Sequence, residues 1–89
     1  MNDAEERFAA RLAEDLDRVL GVGIAIDDVE IETGEAGHGA RITATLLVGE
    51  RVETIQAVGT DVLSLYRPIL QRAAEARLRS AFWRMVGPS

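Results

Sequence analysis

Apolar residues recur three and four positions apart near the start of the chain, at Phe8, Leu12, Leu16, Val19 and Leu20, with arginines and carboxylates between them. That rhythm lines one side of a helix. Asn2 or Asp3 can cap its start, Glu5 and Glu6 sit where the helix dipole favours acids, and Gly21 is a natural left-handed stop. The pattern predicts an amphipathic helix over residues 3–20. Gly-Val-Gly at 21–23 interrupts it, and the period then changes to two: Val29, Ile31 and Thr33 alternate with Asp28, Glu30 and Glu32. A half-buried strand over about 28–34 is expected, with one face apolar and the other acidic. Turn formers crowd the segment from Gly34 to Gly39, after which Ile42, Ala44, Leu46 and Val48 alternate with Arg41, Thr43, Thr45 and Leu47. This predicts a second strand over about 40–48. Gly49-Glu50 suits a two-residue hairpin turn, and residues 51–58 read as the third strand of an antiparallel meander.

Gly59 ends that strand, and Thr60 or Asp61 can cap a second helix over about 61–86, apolar at Val62, Tyr66, Ile69, Leu70 and Ala73. Pro68 has no N–H to return to Ser64, so either the helix bends there or a short turn precedes a helix with Pro68 in its first turn. A single bent helix is the favoured expectation. Its apolar stripe continues through Ala74, Leu78, Ala81, Phe82 and Met85, displaced around the axis, until Gly87-Pro88 stops it. The fold class is therefore α+β, in the order α-β-β-β-α: a three-stranded antiparallel sheet with two helices on one face, forming one domain over residues 1–89.

Composition adds limits to this picture. The chain has 89 residues, 47% of them apolar and 28% charged, which suits a globular domain with a real core. A chain this short buries only about 60–65% of the surface it exposes when unfolded, so a partner or a second copy would add stability. Cysteine is absent, which removes disulfides and thiolate chemistry. No apolar run approaches the roughly 20 residues needed to cross a bilayer, and the acidic start is unlike a basic leader, so a cytoplasmic protein with no membrane partner is expected. The net charge of −5 is unevenly spread. Residues 1–61 hold 14 carboxylates and five arginines, net −9; residues 62–89 hold five arginines and Glu75, net +4. Every basic residue is an arginine, whose fixed fork of donors suits carboxylates and planar groups.

The order of elements resembles the double-stranded RNA-binding domain, over roughly residues 5–82. Gly37-His38-Gly39 stands where that family has a Gly- and His-containing loop. The strand Ala40 to Thr45, the turn Val48-Gly49-Glu50 and the entry Val58-Gly59-Thr60 stand in its following places. In the family, a pair of lysines at the start of the second helix grips phosphates across the major groove; here that start reads Thr60-Asp61-Val62-Leu63-Ser64, with no basic residue. His38 and Glu14 could match the family's loop and first-helix contacts, but neither attracts phosphate. Affinity for duplex RNA depends mainly on Lys and Arg contacts to phosphates. The resemblance thus implies a divergent member that works as a protein-binding or dimerisation module, with no duplex RNA binding.

The chain offers little for catalysis. His38 is its only histidine, so there is no His pair for a metal, and no nucleophile, base and acid can be assembled around Ser64, Ser80 or Ser89. No enzyme activity and no cofactor are expected. Asp28, Glu30 and Glu32 project from one strand face about 6.5–7 Å apart, too dispersed for a calcium loop. They form either a solvated face or an acidic strip that mimics nucleic acid. Gly34-x-x-Gly37-x-Gly39 joins two strands rather than a strand and a helix, so it is a hairpin loop and no phosphate cradle. Arg72, Ala76, Arg79 and Trp83 fall at helical spacing on a face nearly opposite the apolar stripe of the second helix. An exposed Trp beside arginines has the composition of a protein-interaction surface; the alternative is that Trp83 covers the first helix.

Two functions follow as expectations. The first is a small non-enzymatic module that binds another protein or a second copy of itself, through the second helix or the sheet. The second is a small acidic inhibitor that occupies a basic nucleic-acid channel of its target, similar in size and charge to phage-borne inhibitors of CRISPR effectors.

Overall fold

A computed structural model of the chain describes residues 3–34 and 39–86, without the side chains of Trp83, Arg84 and Val86. The order is α1 (Asp3–Leu20), β1 (Ile24–Thr33), β2 (Ala40–Val48), β3 (Arg51–Gly59), a 3₁₀ turn (Leu63–Leu65) and α2 (Tyr66–Val86). The strands form one antiparallel sheet with β2 in the centre, and both helices pack on the same face of it. The fold is α+β, α-β-β-β-α.

The core follows from the two periodicities. Leu12, Leu16 and Leu20 point from α1 to the sheet, and Ala40, Ile42, Ala44, Leu46 and Val48 point from β2 to the helices, all of them buried. Ile55 and Ala57 continue that face on β3, and Leu65, Ile69, Ala73 and Ala76 close it from above. Gly21 ends α1 in the left-handed region at φ 73°, and its N–H reaches the Asp17 carbonyl at 3.1 Å. Gly59 has a different task, since a Cβ there would lie 2.7 Å from Leu65 Cδ2. Its lack of a side chain lets the 3₁₀ turn settle on the end of β3.

Three expectations need correction. First, β1 begins at Ile24, four residues before the alternation predicts. Its register with β2 slips between Ile26 and Asp28, so Asp27 is the extra residue of a bulge. Ile24 and Ile26 face the core on one side of the bulge, Val29 and Ile31 on the other; the change of parity hides the first half of the strand from a period-two reading. Second, Pro68 does not bend a long helix. The chain makes the 3₁₀ turn and then starts α2 at Tyr66, with Pro68 in the first turn, where its missing N–H leaves no gap in the helix ladder.

The third correction concerns the inward side of α2. Beyond Ala73 the buried positions among the described residues are Ala76 and Ser80, in unbroken phase with Leu65 and Ile69, whereas Leu78, Phe82 and Met85 are exposed at 69%, 60% and 86%. The stripe does not shift around the axis to follow the large residues. Arg77, one turn after Ala73, donates to the Val19 carbonyl at the end of α1, so the helices lie close together there. Small side chains on the inward side fit that approach.

Candidate functional site

The surface offers two faces with distinct chemistry. The first is the open side of the sheet. With Asp27 absorbed in the bulge, Asp28, Glu30 and Glu32 all project away from the helices and are exposed. They stand beside Thr45, Thr43 and Arg41 of β2 respectively. Arg41 meets Glu32 in a forked contact, its Nη2 donating to both carboxylate oxygens at 2.9 and 2.8 Å and its Nε to one at 3.2 Å. This contact first, and the charge of Glu32 with it, holds the Arg41 pKa above its ordinary value. The acidic strip is thereby shortened, because Arg41 stands on it as the counter-ion of Glu32 and also feels the charge of Glu30. The rest of the face is uncharged, with Gln56 donating to Thr43 Oγ1 at 3.2 Å across β2 and β3.

The second face is the outward side of α2. Leu78 and Ala81 are shared by two adjoining shallow concavities, one bounded by Val19, Ala74 and Arg77, the other by Arg79, Phe82 and Met85. They join into one apolar channel along the helix. Leu78, Phe82 and Met85 belong to the stripe that the sequence pattern reads as the apolar side of α2, and their exposure is what that pattern misses. The signal that finds them is continuity: Ile69, Ala73, Ala76 and Ser80 keep one helical rhythm from the start of α2, and the larger residues run in a second phase opposite it.

The expected association face of Arg72, Ala76, Arg79 and Trp83 is not assembled in that form. Ala76 is fully buried, because it belongs to the inward phase of the helix. Arg72 is exposed and pairs with Glu75 at 3.6 Å, and Arg79 is exposed and pairs with Glu53 of β3 at 3.6 Å. The Trp83 side chain lies outside the described residues, as do Glu35, Gly37 and His38.

At the other end of α2 a polar clasp joins the helices. The Tyr66 hydroxyl donates to Asp15 Oδ2, and the same carboxylate has Arg11 and Arg18 at 3.6 and 3.7 Å. Phe8 packs edge-on to the Tyr66 ring, the centroids 5.5 Å apart. Ahead of the 3₁₀ turn, Asp61 Oδ1 accepts the Ser64 N–H at 2.8 Å and Ser64 Oγ donates back to the Asp61 carbonyl, whereas the first turn of α2 itself holds no acid and one exposed arginine, Arg67. Among the described residues no three His, Asp or Glu side chains gather to hold a metal ion, and no helix is long and apolar enough to cross a membrane. Compared with protein-family models, curated proteins and solved structures, the chain matches none.

Proposed function

We propose that this chain is a small non-enzymatic protein-association module, with an arrangement like that of the double-stranded RNA-binding domain but without its affinity for duplex RNA. The observation that carries this reading is the outward apolar channel of α2. Leu78, Phe82 and Met85 expose roughly 400 Å² of apolar surface, within the range of the largest patch on a small monomer and in one continuous stripe. Contiguous patches of that kind mark contact surfaces. Support for the loss of RNA binding comes from the first turn of α2, which has one cation, Arg67, against the family's pair of lysines, and from the net charge of −9 over residues 1–61. A nucleic-acid mimic has less support, since the Arg41 fork neutralises one of three carboxylates in an already short strip.

The test is quantitative affinity capture with the wild type and with a Leu78→Gln, Met85→Gln variant. Gln keeps helix propensity close to that of Leu and Met, so the variant changes the surface and spares the helix. Proteins retained by the wild type and lost by the variant are the expected result. Identical capture by both, or nothing retained above bare resin, would reject the reading.

A further inference from the structure

The outward channel of α2 carries a charge pattern that selects its occupant. Arg77 and Arg79 stand one residue before and one after Leu78, so at 100° per residue they flank the apolar stripe on opposite sides. Arg77 gives one N–H to the Val19 carbonyl at 3.3 Å, and Arg79 makes a surface pair with Glu53 at 3.6 Å. A guanidinium has five donors, and a surface pair is readily exchanged for another carboxylate. Residues 62–89 as a whole carry +4 against −9 for the remainder.

These quantities decide between occupants. A second copy laid along the same stripe would bring two +4 helices together. The roughly 400 Å² of apolar surface is near the apolar share of a standard interface, somewhat over half of ~800 Å² per partner, so the area alone does not choose the occupant; its shape, a stripe one helix wide, fits an amphipathic helix. The stripe from Ala74 to Met85 is ~17 Å long, three turns, the length of a helix of about 12 residues. Arginine forks on both flanks suit carboxylates, and residues 62–89, at +4, are the part of the chain whose net charge attracts them.

We propose that the outward side of α2 docks an acidic amphipathic helix of another protein, apolar along one side and bearing carboxylates on both flanks. The proposal rests on the association reading above and adds the partner's chemistry to it.

The probe is a fluorescein-labelled helical peptide of about 16 residues, long enough to cover the stripe, with leucines three and four apart and glutamates flanking them. A matched peptide has lysines in place of the glutamates, and vesicles with one-third phosphatidylserine serve as a third probe. With the full chain, anisotropy is expected to give a Kd in the range of tens of micromolar for the Glu peptide, as an area this small allows. The Lys peptide should bind at least tenfold more weakly, and raising the salt from 50 to 500 mM should weaken the Glu peptide several-fold. Leu78→Gln with Met85→Gln should abolish binding, and Arg77→Glu with Arg79→Glu should reverse the preference between peptides, both with circular dichroism unchanged. Equal binding of the two peptides, lost together in the Gln variant, would overturn the acidic partner while leaving the association reading in place. A dimer by light scattering that excludes the Glu peptide would do the same in favour of a second copy. Binding to vesicles alone, or to no probe, would overturn the proposal together with the reading beneath it.

Discussion

Helix α1 sets Leu12, Leu16 and Leu20 against the sheet and its charged residues outward, whereas the second half of α2 sets Ala76 and Ser80 inward and Leu78, Phe82 and Met85 outward. Both helices cover the same sheet. In α1 the division between apolar and charged residues is also the division between core and solvent. In α2 it is not, because apolar residues occupy two opposite sides of the helix. Burial there is decided by fit: Ala73 and Ala76 allow the helix to lie close to its neighbours, and larger side chains in those positions would hold it away. Large apolar residues left outside such a helix need another explanation, and a contact with a second molecule supplies one. The two helices therefore differ: α1 buries its large apolar residues, whereas the second half of α2 buries small ones and exposes Leu78, Phe82 and Met85.

The largest effect that separates them is cavity formation. Leu16→Ala, in the fully buried row of α1, should cost about 2–5 kcal/mol in urea denaturation, whereas Leu78→Ala should stay within about 0.5 kcal/mol. Equal costs at the two leucines would erase the distinction. Ala76 provides the converse test. If it lined an exposed association face, Ala76→Leu would be neutral; in its buried position the added methylenes should destabilise by about 1–3 kcal/mol. A midpoint unchanged by Ala76→Leu would return that residue to the surface.

A smaller effect belongs to the clasp that joins the two helices. Tyr66→Phe keeps the edge-on contact with Phe8 and removes only the hydroxyl that donates to Asp15. Loss of that bond should cost about 1 kcal/mol, since Asp15 is only partly buried and keeps Arg11 and Arg18 close by. An unchanged denaturation midpoint in Tyr66→Phe would mean that the hydroxyl bond to Asp15 adds nothing to the joining of the two helices.

The same contrast explains what could be read from the chain without coordinates. The order of elements and the faces of α1 and β2 were legible because each has one apolar side and one period. Leu12, Leu16 and Leu20, and the alternation from Ala40 to Val48, admit no second phase. Where two phases coexist, the pattern misleads. In β1 a single bulge residue, Asp27, reverses the parity between Ile26 and Val29, so a strand that starts at Ile24 reads as starting at Asp28. In α2 the spacing of Ala74, Leu78, Ala81, Phe82 and Met85 reads as the core side, and Ala73, Ala76 and Ser80 occupy it. The acidic strip was legible as a face, since Asp28, Glu30 and Glu32 do project together. Its neutralisation was not, because the forked contact of Arg41 with Glu32 depends on a strand register set by that same bulge.

The smallest stability effect is the one that tests the outward side of α2 most directly. Leu78→Gln and Met85→Gln together replace two large apolar side chains with polar ones of similar helix propensity. Both positions are mostly exposed, so the isolated chain loses little packing, and its denaturation midpoint should move by no more than about 0.5 kcal/mol in stability. The surface should change far more than the fold. Binding of a hydrophobic dye such as anilinonaphthalene sulfonate to the native chain should fall several-fold, because the channel shared by Leu78 and Ala81 loses its apolar walls on both sides. An unfolding cost near that of Leu16→Ala would show that these residues serve the core after all. Dye binding that persists in a stable variant would locate the exposed apolar surface elsewhere, with Val22, Val52, Val58 and Leu63 as further large apolar residues that are mostly exposed.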